Sequence, residues 1–107
     1  MSLSIYLTAT RPTEVFSANY THNCNTMAKE AGIYMQVWRP EEVGITKASE
    51  LIPHLEAGIA LMESDPPRFE ALNPENGWGS YKTFVPWLKK YLEACRANPD
   101  ATIEVSR

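Results

Sequence analysis

The hydrophobic and polar positions alternate at the two ends of the chain and recur at helical spacing in between. Leu3, Ile5, Leu7 and Ala9 alternate with Ser4, Tyr6, Thr8 and Thr10, the period of two that lays one face of a strand on a core. After Arg11-Pro12-Thr13, Phe16, Ala18 and Tyr20 alternate with Val15, Ser17 and Asn19, which predicts a second strand and an N-terminal hairpin. Ala101, Ile103 and Val105 alternate with Thr102, Glu104 and Ser106, predicting a C-terminal strand in the same sheet. Two or three strands need a helical layer to be stable.

That layer is written in the middle of the chain. From Asn23 to Trp38, Cys24, Met27, Ala28, Ala31, Met35 and Trp38 recur at three- and four-residue spacing and Pro40 stops the run, which predicts one amphipathic helix. A second starts near Thr46, with Ala48, Leu51, Ile52, Leu55, Ile59 and Met62 on one side; Pro53 and Gly58 predict a kink or two shorter helices. A third starts near Thr83, so that Pro86 falls in its first turn, buries Phe84, Leu88, Leu92 and Cys95, and ends at Asn98-Pro99. Between the last two, residues 65–80 form the longest irregular stretch, with one helical turn expected around Arg68 to Leu72. The expected fold class is α+β: a small antiparallel sheet of two to three strands packed against about three helices, as a single domain over residues 1–107.

Composition agrees and narrows the functions. Hydrophobic residues are 44% and charged residues 21%, ordinary for a globular chain. A net charge of -3 and a pI near 5.3 argue against general nucleic-acid binding, which draws on a basic face. The longest apolar runs, such as Ile59 to Met62, are far too short to cross a bilayer, and no secretory pattern opens the chain, so a cytoplasmic location is expected. Cys24 and Cys95 have no motif spacing and read as free thiols. No zinc, phosphate-loop or paired-carboxylate signature occurs, and no metal or cofactor is expected.

Two loop-to-helix junctions carry the candidate chemistry. Thr21-His22-Asn23-Cys24 enters the first helix, where Thr21 or Asn23 caps orphan donors and the local partial charge favours an anion. Asn73-Pro74-Glu75-Asn76-Gly77-Trp78-Gly79-Ser80-Tyr81 sets an aromatic ring between glycines that permit a tight turn and a close backbone approach. Each has a packing alternative: a cap with a core cysteine at the first, and a tryptophan that plugs the core at the second. Arg39, after Trp38, is either a charge partner for a ligand or the usual cation at a helix C-terminus. The candidate ligand-binding set is His22, Asn23, Arg39, Asn76, Trp78 and Tyr81, with no catalytic residue assigned.

The residues Thr21-His22-Asn23, Met27, Glu30-Ala31-Gly32, Trp38-Arg39-Pro40, Asn76-Gly77-Trp78-Gly79 and Val105-Ser106-Arg107 give the chain a likeness over almost its whole length. In them it resembles small bacterial and phage-associated proteins of uncharacterised activity. The resemblance implies a stand-alone domain and, in a phage setting, an accessory factor that binds a host protein or a signalling ligand. The leading expectation is thus a non-catalytic binding protein for a small anionic or nucleotide-like ligand or a host protein. The alternatives are a structural or homodimeric interaction module, and a small enzyme using Cys24 or His22.

Overall fold

The computed structural model describes residues 2–9 and 14–107. Its strands are β1 (Ser2–Thr8), β2 (Glu14–Thr21) and β3 (Thr102–Ser106), in the antiparallel order β2-β1-β3. Both chain ends therefore meet in one sheet, with β1 central. Ile5 pairs with Ala18 on one side and Val105 on the other, and Leu7 with Phe16 and Ile103. This register sends Leu3, Ile5 and Leu7, all fully buried, to the helical face. Ser4, Tyr6, Ser17, Asn19 and Glu104 share the opposite face. The break expected at Arg11-Pro12-Thr13 lies outside the described residues.

The helices are α1 (Asn25–Glu30), α2 (Tyr34–Trp38), α3 (Ala48–Ser64), α4 (Pro66–Glu70) and α5 (Tyr81–Ala97), with 3-10 turns at His22–Cys24 and Pro40–Val43. The single helix expected from Asn23 to Trp38 is instead two. Gly32 adopts φ +77°, Ile33 N–H reaches back to Ala28 O at 3.0 Å and Gly32 N–H to Lys29 O at 3.1 Å, the bond pair that ends a helix at a left-handed glycine. The apolar spacing survives the break because both halves pack on the same core, burying Met27, Ala28, Val37 and Trp38.

Of the two outcomes expected for the second helix, the split into two shorter helices does not occur, since α3 runs unbroken through Pro53. An interior proline costs about 3 kcal/mol. Burying Leu51, Leu55, Ile59 and Met62 at about 1.5–3 kcal/mol each outweighs it. Gly58 is no break either: a Cβ there would stand 2.5 Å from Ile33 Cγ2, so the glycine seats Ile33 against α3. Glu50 Oε1 starts the helix by accepting from Lys47 N–H at 2.9 Å and Thr46 N–H at 3.1 Å.

Helix α5 begins at Tyr81, two residues before the expected start, so Pro86 lies in its second turn. The start is set by a reciprocal cap: Ser80 Oγ accepts from Thr83 N–H at 3.3 Å and Thr83 Oγ1 from Ser80 N–H at 3.2 Å. The helical turn expected around Arg68 to Leu72 occurs at Pro66–Glu70 and buries Phe69. Ion pairs Lys89–Glu63 and Arg96–Glu56 link α5 to α3, and Arg68–Glu30 links α4 to α1. All are half exposed and add at most about 1 kcal/mol apiece. No described helix is long and apolar enough to cross a membrane.

Candidate functional site

Residues 73–80 are pinned at both ends and in the middle. Asn73 Oδ1 accepts from Tyr81 N–H at 2.8 Å, and Asn76 Oδ1 from Trp78 N–H at 3.0 Å. Gly77 and Gly79 take φ +75° and +87°, conformations that side chains disfavour. At Gly79 the loop presses on the end of β2: a Cβ would meet Thr21 Cγ2 at 2.6 Å, Cys24 Sγ at 3.1 Å and Tyr20 OH at 3.2 Å. The Tyr20 hydroxyl locks this contact, accepting from Ser80 N–H at 3.2 Å and lying 2.7 Å from Thr83 Oγ1.

A loop fixed so firmly still leaves Trp78 70% exposed, the most exposed of the large apolar side chains among the described residues. The alternative in which Trp78 plugs the core is thereby removed. Trp78 is instead one wall of an open cleft of about 720 Å³, whose other walls are Asn76, Asn23, Thr21, Tyr20, Asn19 and Ser2. Asn23 Nδ2 lies 3.5 Å from Asn76 Oδ1, joining the two junctions. Ser2 and Asn19 enter from the open sheet face, where Asn19 Nδ2 donates to Ser2 Oγ and Ser4 Oγ, both at 3.0 Å.

Asn23, Asn76 and Trp78 thus meet in one cleft, while the other three candidates serve elsewhere. His22 Nδ1 accepts from the indole N–H of the fully buried Trp38 at 2.8 Å. Its ring proton is therefore on Nε2, and its role is to satisfy a core donor. Arg39 pairs with Glu42 at 2.7 Å and donates to Tyr34 OH at 3.4 Å, at the end of α2. Tyr81 donates to Met62 O at 2.9 Å and lines a second groove beside Glu63 and Glu70. Its phenol is pushed up by burial and by those two carboxylates.

The cysteines lack the surroundings of a nucleophile. Cys24 is fully buried, its partner is Tyr20 OH at 3.7 Å, and burial pushes its thiol up, opposite to activation. Cys95 is buried on α5 and pushed up to about 12. Among the described residues no three His, Cys, Asp or Glu side chains gather in a group fit to hold a metal.

Three cleft features escaped the sequence reading. Ser2 and Asn19 reach the cleft only because Ser2 pairs with Thr21 and Ser4 with Asn19, a register the alternation does not specify. The Tyr20 hydroxyl looked like one more core-facing aromatic. Its position at the end of β2, beside the capping residue Thr21, is the one sequence signal that a hydroxyl there could reach a neighbouring loop. Comparison with protein-family models, with curated proteins and with solved structures returns no match to this chain.

Proposed function

We propose that this is a non-catalytic binding protein whose ligand lies in the cleft walled by Trp78, Asn76 and Asn23. The observation that carries the reading is the exposure of Trp78. Leaving an indole in water forgoes about 1.5–3 kcal/mol of burial. Here two positive-φ glycines, an Asn76 turn and the Tyr20 lock hold that loop in place without burying the ring. An aromatic surface held ready in this way loses little conformational entropy when a partner covers it. The cleft volume falls within the roughly 300–1,000 Å³ of small-molecule sites.

The amides and hydroxyls around the ring supply orientation, and the nearby thiol and imidazole are committed to the core. Saturation-transfer NMR with a library of neutral and anionic metabolites tests the reading. Hits are expected whose signals vanish with Trp78→Ala, a substitution at an exposed position that leaves the core untouched. Hits indifferent to that substitution would overturn the site.

A further inference from the structure

The cleft beside Trp78 has the wrong chemistry for an anion. None of its described lining residues is charged. Arg39, the cation nominated from sequence, is paired with Glu42 at another place in the fold. The lining also offers acceptors beside its donors. Asn19 spends its amide N–H groups on Ser2 and Ser4, which leaves Oδ1 as its free end. Asn23 donates toward Asn76, and its Oδ1 is without a partner among the described residues. Asn76 is the converse, with Oδ1 engaged by Trp78 N–H and Nδ2 without a partner among the described residues. A phosphate or carboxylate would face these carbonyl oxygens with no cationic side chain among the described lining residues to offset its desolvation.

We propose that the cleft binds a saccharide, through one or more pyranose rings seated against Trp78; this rests on the binding reading above and specifies its ligand class. A sugar hydroxyl donates and accepts at once, so neighbouring hydroxyls can donate to Oδ1 of Asn19 or Asn23 and accept from Nδ2 of Asn76. Three asparagines line the cleft along with the indole. The ring C–H groups of a pyranose are weakly positive and pack on the negative face of the indole, which contributes both area and direction. A nucleotide fits less well, since its base suits the indole but its phosphate meets the same uncharged, acceptor-bearing wall. The cleft is open and Trp78 is the one exposed aromatic ring among its described lining residues, so affinity for a short oligosaccharide is modest, with Kd of roughly 0.1–1 mM.

The test is calorimetry and intrinsic tryptophan fluorescence with chitotriose, cellotriose and maltotriose, and with adenosine and AMP as counter-probes. At least one trisaccharide is expected to bind saturably and to change the emission of Trp78. Trp78→Ala weakens that binding by roughly tenfold or more. Asn23→Ala weakens it several-fold, and raising salt from about 0.05 to 0.5 M leaves it unchanged, as befits an uncharged ligand. Absence of saturation by any trisaccharide up to about 10 mM, or binding that ignores Trp78→Ala, would overturn the saccharide assignment. If adenosine or AMP alone binds through Trp78, the saccharide inference falls and the binding reading stands. If no probe depends on Trp78, both fall.

Discussion

Placing an alanine at Gly79 tests whether the Trp78 loop is docked as described, and Gly77→Ala is its internal control. Both glycines have positive φ, +75° at 77 and +87° at 79, so both substitutions carry the left-handed penalty of about 1–2 kcal/mol. Both regain about 0.4–1 kcal/mol from a less flexible unfolded chain. The net is about 1 kcal/mol for each. They differ in what the new methyl group meets. At Gly77 nothing lies within 4 Å, whereas at Gly79 Thr21 Cγ2 is 2.6 Å away and Cys24 Sγ 3.1 Å. Overpacking of that kind adds about 1–3 kcal/mol. Gly79→Ala should therefore cost about 2–4 kcal/mol, and Gly77→Ala about 1. For a domain of this size the melting temperature drops by about 10–20 °C in the first case and about 5 °C in the second. Urea unfolding followed by circular dichroism gives the same comparison through the midpoints. Equal losses for the two variants would show that the loop does not press on Thr21 and Cys24, and the cleft geometry would fail with it.

Three other perturbations probe separate parts of the account. His22→Ala strands the indole N–H of buried Trp38 and should cost about 1–3 kcal/mol in urea unfolding, with a shifted Trp38 indole proton in NMR; an unchanged indole signal would contradict the bond. Tyr91→Phe should stabilise by about 1 kcal/mol in the same assay, because the Tyr91 hydroxyl is buried without a hydrogen-bond partner among the described residues, and a clear loss would refute that description. Glu50 is held below the usual carboxylate range by the backbone N–H groups of Lys47 and Thr46 and by the Thr46 hydroxyl. A depressed folded value means its contribution is present above the unfolded value and is lost as pH falls through the folded one. Glu50→Gln should thus lower the urea midpoint at pH 7 and match the native chain well below about pH 4, whereas a gap of constant size would exclude this role.

The α+β architecture was legible because it depends on period alone: Leu3, Ile5 and Leu7 declare a strand, and Phe84, Leu88 and Cys95 a helix, whatever packs on them. Helix boundaries depended on finer signals. Gly32 stops α1 through a left-handed turn, but Met35 and Trp38 resume the helical spacing beyond it, so the break is invisible to a periodicity count. Pro53 looks like an interruption, and Pro86 draws the expected start of α5 to Thr83, until tertiary burial is weighed against the cost of a proline, a comparison that needs the partner helix. At the site, Asn76 and Trp78 were readable from turn chemistry, since Asn-Gly-Trp-Gly constrains a loop wherever it sits. That Asn23 would face Asn76, with Ser2 and Asn19 beside them, depends on strand register and loop docking. Those are set by contacts between residues 53 to 60 positions apart, such as Asn23 with Asn76 and Tyr20 with Ser80. His22 and Arg39 were chosen for their chemistry, which the fold spends on Trp38 and Glu42.

Amide chemical-shift mapping of the labelled protein during titration with chitotriose, cellotriose and maltotriose tests the central claim most directly. The account predicts shifts confined to Ser2, residues 19–23 and residues 76–79, together with the side-chain NH₂ signals of Asn23 and Asn76 and the indole N–H of Trp78. The buried indole of Trp38 should stay where it is. Shifts centred on the Tyr81 groove or on Tyr6 and Glu104 across the open sheet face, or spectra that do not change at saturating sugar, would contradict the claim that the Trp78 cleft is a saccharide site.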